Sequence, residues 1–289
     1  MSYTPSFSLL TKVLDARHLV ILQDWLEFVT LRPADLIVYM PDDGNIYRQL
    51  DGLAHSAQIA WKPLIGDKSD DLRNNETEIL RRMVEQSTSD YLLSVNLDTI
   101  PFRTGLSEER WLDEVFELLR TGDFPFLTGC GVRYLADTVA VPGRFLRTRY
   151  FSNNFGLILR DFWLNAIERH GPSHVDEAAR RFHSEWAVEE ELRRLDRDGL
   201  RRLDSEYWRV FHVQQWDDRL LKTRELFRRG VGVKRYLNRI HEHYRHPWEY
   251  YFNYPKPPLI TLLRIRFGEL RRGIGWPSIV RSRARRAPH

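Results

Sequence analysis

The chain of 289 residues has one cysteine, Cys130. A single thiol excludes an internal disulfide framework and fits a reducing compartment. Within the run LTGCG it reads as a small buried side chain rather than a nucleophile. No stretch approaches eighteen consecutive apolar residues, and Met1 to Leu10 lacks the basic-then-apolar plan of a signal peptide. The expected location is the cytoplasm. No HExxH is present, and His241, His243 and His246 of HEHYRH do not share a helical face, which argues against zinc. There is no internal repeat.

Charges of both signs are plentiful and nearly balanced except at one end. From Ile260 to His289 there are eight arginines (264, 266, 271, 272, 281, 283, 285 and 286) against Glu269 alone, a local charge of +7. The preceding 259 residues therefore carry −3 of the chain's net +4. A basic tail bearing a tryptophan can meet anionic lipid, nucleic acid or an acidic partner, or stay solvated. The body is slightly acidic and shows no recognition motif, so nucleic acid is not expected as a partner.

The length suits one large α/β domain with an appendix. Phe7 to Val13 is a short apolar run suited to a first strand, and residues 17–29 place Leu19, Leu22, Trp25, Leu26 and Val29 at helical spacing. Arg32-Pro33 stops that helix, and DLIVYMPDDG from Asp35 reads as a strand ending in a turn. HSAQIAWKPLI is expected as a third strand, GDKSDDLRNN as a polar loop and residues 75–86 as a helix. Tyr91 to Val95 is an apolar run that reads as a buried strand, ending in Asn96-Leu97-Asp98. This β-α-β-β-α-β order implies right-handed crossovers and a largely parallel sheet. Further on, a helix is expected over 108–120, a strand at FPFLTGCGVRYL and a Gly/Pro/Arg-rich loop at ADTVAVPGRFLRTR. A strand turning into a helix at FSNNFGLILRDF, an amphipathic helix over 174–198 broken near His183, and a last strand at YWRVFHVQQW follow. Beyond it the pattern is helical, basic and aromatic, with PKPP near Pro255 to Pro258 as a hinge. Residues 1–220 thus form the main domain and 221–289 a C-terminal extension.

Several groups of residues carry potential chemistry. Asp42-Asp43-Gly44-Asn45 follows a strand, where acids can bond ribose hydroxyls, though DDGN is also ideal β-turn chemistry. Lys68, Arg73 and Asn74 precede a helix and suit phosphate and a base edge, or a solvated loop with a cap. Asn96 and Asp98 fall on one face if the segment is extended, and a hard divalent ion bridging two phosphates needs only one or two carboxylates. An Asx-turn capping the strand is the alternative. The small polar residues of SNNF can line an acceptor pocket or pack as a turn. Glu185, Glu189 and Glu190 lie within two turns, with the pair 185/189 on one face. A carboxylate there can act as general base, or can pair with Arg193, Arg194 and Arg197 on a solvated surface. His212 sits in a strand-like run, either as a satisfied core residue or as a ligand.

In this order, the motifs resemble a family 2-like glycosyltransferase of the GT-A fold: an acidic turn after a strand, a polar loop with a helix, then a strand ending in a DxD-like Asn96-Leu97-Asp98. The resemblance, over roughly residues 6–220, implies a Rossmann-like, mostly parallel central sheet flanked by helices. It implies a transferase moving a sugar from a nucleoside diphosphate sugar to a glycan or lipid-linked hydroxyl, in polysaccharide biosynthesis and with inversion. Asp98 matches the last DxD aspartate, which holds Mn or Mg on the diphosphate, while Asn96 replaces the first. Asp42, Asp43, Arg73, Asn74 and Asn96 would serve nucleotide binding, and His212 matches a late metal-binding histidine. No Glu-Asp pair exists, and Glu189-Glu190 stands where the family has its catalytic base, with Glu185-Trp186 as a second register. A non-catalytic GT-A-like binding protein is the alternative. The arginine-rich tail would bring the enzyme to the anionic inner face of a membrane.

Overall fold

A computed structural model describes residues 6–67, 76–103, 112–113, 115–117, 126–128, 139–140, 145–148, 151, 153, 155–170, 183–195, 200–203, 208–213, 216–230 and 258–271. Arg73, Asn74, Lys68, Cys130, the HEHYRH histidines and the arginines beyond 271 lie outside these residues.

The strands form where apolar residues run without interruption. β1 (Phe7–Lys12), β2 (Asp35–Met40) and β4 (Tyr91–Val95) are buried along almost their whole length, as strands covered on both faces must be. Successive side chains go to opposite faces. Phe7, Leu9, Leu36, Val38, Leu93 and Val95 join one core, and Leu10, Ile37, Tyr39 and Leu92 join the other. The first core is capped by α1 (Leu19–Phe28) and α2 (Gly44–Ala57), the second by α3 (Glu76–Gln86), α4 (Arg160–His170) and α5 (His183–Arg194). The result is a three-layer α/β/α arrangement. Trp25, fully buried, packs its ring 5.1 Å from Phe155 and 5.6 Å from Phe28.

With β3 (Ala60–Ile65), β6 (Phe126–Thr128), β7 (Val139–Ala140), β8 (Phe145–Thr148), β9 (Phe155–Leu159) and β10 (Leu200–Leu203), the large sheet has the order β3-β2-β1-β4-β9-β6-β10-β8-β7. Only β8 and β9 run against the common direction. The expected α/β class, with a mostly parallel central sheet and flanking helices, is observed. A second, two-stranded sheet pairs β5 (Thr99–Arg103) with β11 (Trp208–His212) antiparallel.

Four expectations give way. HSAQIAWKPLI is not all strand, because α2 runs through Ala57 and β3 begins at Ala60. The opening order is therefore β-α-β-α-β-α-β. DDGN is a helix start rather than a β-turn: the Asp43 carboxylate accepts from the Asn45 and Ile46 amides and caps α2, whose Ile46, Leu50 and Ala54 face the core. The stretch read as loop at 136–149 contains β7 and β8. Asn96 to Asp98 is a turn linking the two sheets and not an extended segment, so alternation does not apply to it.

Helix α6 (Asp218–Arg228) straddles residue 220 and buries Leu220 and Phe227 in the first core. Its Arg224 pairs with Asp24 of α1. Farther along, α7 spans Leu259–Arg271.

Lys12 ends β1 fully buried, and its Nζ lies 2.8 Å from Oε1 of Glu76, the equally buried first residue of α3. This pair fixes the start of α3 against the carboxyl end of β1. Removing one buried partner strands the other charge. Lys12→Met is therefore expected to cost about 3–5 kcal/mol, and Lys12→Met/Glu76→Leu to recover most of it. Urea denaturation of the three proteins checks this; equal losses for the single and double variants would contradict it.

Candidate active site at the carboxyl edge of the sheet

Open α/β sheets bind ligands beyond the carboxyl ends of their strands. Four segments meet there around Asp98.

The first is the turn itself. The Asn96 carbonyl accepts from the Thr99 amide at 3.1 Å and from the Thr99 hydroxyl, and the Asp98 carbonyl accepts from the Val213 amide at 2.9 Å. Asp98 is 6% exposed, and Leu97 beside it is fully buried and anchors the turn in the first core. The register that opposes His212 to Thr99 continues through that last bond, so the end of β11 lies along the Asp98 turn. Asn96, Asp98 and the backbone of His212 are therefore brought together.

The second is the loop after β1, which residue patterns did not single out. Asp15 caps a short 3-10 turn over Ala16–His18, and its hydrogen bond with the Arg17 side chain holds the carboxyl down at about 2. His18 is buried, with its ring 5.4 Å from that of Trp216, and Nε2 lies 2.9 Å from the Trp216 carbonyl. A carbonyl can only accept, so Nε2 carries the proton and Nδ1 is the basic nitrogen. Burial lowers the His18 pKa, outweighing the contrary pull of the Trp216 carbonyl and of the negative charges on Asp15 and Asp98. Arg17 also reaches Asp218 at 2.7 Å, so two contacts tie the β1 loop to the segment after β11.

The third is the approach to β9. Because β9 is antiparallel to β4, its first residue Phe155 pairs with Val95, and the chain entering β9 comes from the side of the Asp98 turn. Ser94 donates to the Asn153 carbonyl at 3.1 Å.

The fourth is α5, whose acids face this approach. Glu185 accepts from the Asn153 amide at 2.9 Å and Glu189 from the Phe151 amide at 3.0 Å, while Ser184 takes the Asn153 side-chain amide at 2.6 Å. Glu189 is buried at 3% exposure; Glu190, one position round the helix, is a quarter exposed and pairs with Arg193. The i,i+4 acids share one face as their spacing requires, and both hold backbone amides of the β9 approach. Of the remaining candidates, Asp43 is taken up as the α2 cap and Asp42 is exposed at the end of β2.

Among the described residues no cluster of three or more His, Cys, Asp or Glu is arranged to hold a metal. The donor set at the Asp98 turn, one carboxylate beside a neutral amide, fits an ion whose other ligands come from phosphate oxygens. It does not fit an all-protein cage.

No protein-family model matches the chain, and no curated protein matches it. Solved structures do. The mannosyltransferase PcManGT from Pyrobaculum calidifontis, in complex with GDP-Man and Mn2+, superposes with a TM-score of 0.51 at 14% identity, covering 94% of this chain and 84% of that one. A UDP-glucose pyrophosphorylase complexed with UDP-glucose gives 0.52 at 4% identity over 78% and 99%. The fold is GT-A-like. Staphylococcus aureus TarS 1–349 also matches, at 10% identity and TM-score 0.47, over 71% of this chain; the chain spans 60% of that structure.

The depressed His18 has a consequence for stability. The folded chain binds this proton less readily than the unfolded one, so the stabilisation is full above the unfolded value of about 6.5 and is lost as pH falls below it through the lower folded value. His18→Gln keeps an amide donor for the Trp216 carbonyl and removes the titration. Urea midpoints of the wild type are expected to fall more steeply than those of His18→Gln on acidification; parallel slopes would contradict the assignment.

Proposed function

We propose that the chain is a glycosyltransferase that moves a sugar from a nucleoside diphosphate sugar to a hydroxyl of a glycan or lipid-linked acceptor, with inversion. The observation that carries this reading is Asp98, held by its own backbone in the turn where β4 leaves a GT-A-like sheet. Two structures of similar fold are complexes with UDP-glucose and with GDP-Man and Mn2+.

In this reading Asp98, with His212 as a further ligand, holds a Mn or Mg ion on the diphosphate, and that ion supplies Lewis-acid stabilisation of the leaving group's charge. Asn96 contributes an amide oxygen beside Asp98. Asp42 and Asp43, with Arg73 and Asn74 from the loop before α3, hold the nucleoside. A carboxylate of α5, Glu189 or Glu190, takes the proton of the acceptor hydroxyl as it attacks the anomeric carbon. Glu190 is the more accessible of the two; Glu189 already serves the Phe151 amide. Residues 221–289 act as an extension, and their arginines draw a cytoplasmic enzyme to the inner face of a membrane, where lipid-linked acceptors reside. No nucleic acid takes part.

A second reading has one observation in its favour. Asn96 stands where a second carboxylate would be, which suits a non-catalytic GT-A-like binding protein in polysaccharide assembly.

Release of UDP or GDP from a panel of sugar nucleotides with Mn separates the two. Wild type is expected to turn over at least one donor, and Asp98→Ala to abolish that turnover. Of Glu189→Gln and Glu190→Gln, the one removing the base is expected to lower the rate by about 10²–10⁴-fold. Unchanged turnover in Asp98→Ala would sink the assignment, and no turnover with any donor would favour the binding protein.

A further inference from the structure

Helix α7 carries most of its described large apolar side chains outward. Leu259 is 73% exposed, Ile260 67%, Phe267 64% and Leu263 48%. Exposed apolar residues scattered singly need no explanation, but four of the seven large ones among the described residues lie on this one helix. At 3.6 residues per turn, Leu259, Leu263 and Phe267 form one i,i+4 stripe, and Ile260 widens it. Leu262 and Ile265, on the other side of the helix, are half-buried. The helix therefore turns its smaller apolar share inward and its larger share to solvent, the reverse of a helix packed only on its own domain.

The charge beside this stripe selects its occupant. Arg264 is exposed next to it, Arg266 and Arg271 occupy helical positions on its two flanks, and the segment from Ile260 onward carries +7. Two copies meeting through this face would bring two such charges together. An anionic bilayer offers both an apolar interior for the stripe and negative headgroups for the arginines. Thirteen residues of helix extend only roughly 20 Å, short of the hydrocarbon core, and no helix among the described residues is long and apolar enough to cross a membrane.

We infer that α7 is an interfacial helix that lies flat in the surface of an anionic bilayer, with Leu259, Ile260, Leu263 and Phe267 among the acyl chains and Arg264 at the headgroups. This deepens the membrane contact proposed for the arginine tail by adding an inserted apolar face. It does not depend on the transferase reading.

The test is co-sedimentation of the full chain, without sugar nucleotide, with phosphatidylcholine vesicles and with vesicles that also contain phosphatidylglycerol. Wild type is expected to pellet with the anionic vesicles and not with phosphatidylcholine alone. Leu263→Ser/Phe267→Ser, which alters only exposed side chains and is expected to keep its melting temperature, should bind the anionic vesicles about a hundredfold more weakly. If wild type and the double variant bind equally and salt releases both, the tail acts by charge alone and the inserted helix is overturned. If wild type fails to bind anionic vesicles, the membrane contact falls with it. If the stripe instead drives self-association in the absence of vesicles, abolished by the same substitutions, the occupant is a second copy and the inference is overturned.

Discussion

The turn at residues 96–98 is the constraint on which the site depends. There the chain leaves the large sheet and enters the small one, and backbone hydrogen bonds hold the transfer on both sides: Thr99 to Asn96 within the turn, and Val213 to Asp98 across to β11. Leu97 fills the core beneath it. Each bond is modest alone, about 1 kcal/mol net. Together they fix where the Asp98 carboxylate emerges and tie it to the end of β11, and hence to Trp216, His18 and the loop after β1. The backbone at Asp98 is thereby held on both sides of the turn.

The opposite wall of the site is organised by two carboxylates of α5, one buried and one half-buried. Glu185 and Glu189 hold two amides of the β9 approach, at Asn153 and Phe151. Hydrogen bonds to an ionised acceptor contribute about 1.5–3 kcal/mol each, roughly twice a neutral one. A carboxylate in this place can tether a backbone amide or, in the proposed function, take a substrate proton. Glu189 therefore stands between two roles, and Glu190, paired with Arg193 at the surface, has no backbone duty of this kind among the described residues. At the other end of the chain, the exposed stripe of α7 lets the large apolar side chains there be read as a contact surface, where the arginines alone indicate only a sign of charge.

Much of the α/β frame was legible because buried strands leave apolar runs: DLIVYM and YLLSV could be little else. Misreadings occurred where local chemistry points away from the final structure. Asp42-Asp43-Gly44-Asn45 is good turn chemistry, and Gly44 and Gly52 weaken the helical pattern of α2, yet the Ile46, Leu50, Ala54 spacing carries it. Pro101 argues against a strand, but β5 belongs to a two-stranded sheet, in which every strand is an edge. LRRL and FLRT lack apolar runs, since β10 and β8 are short strands far from the sheet centre. In the site, Asp98 and the shared face of Glu185 and Glu189 were visible in the spacing, and so was Asn153 as part of a polar approach to a strand. His18 and the Lys12–Glu76 pair were not, because their partners lie far along the chain; a lysine closing an otherwise apolar strand was the one available sign.

Titration calorimetry with sugar nucleotides, with and without Mn, tests the central claim most directly, because binding can be read before any acceptor is known. The account predicts heat with at least one nucleoside diphosphate sugar, dependent on Mn and absent in Asp98→Asn. Binding that is indifferent to Mn or to Asp98, or no binding with any sugar nucleotide, would contradict it.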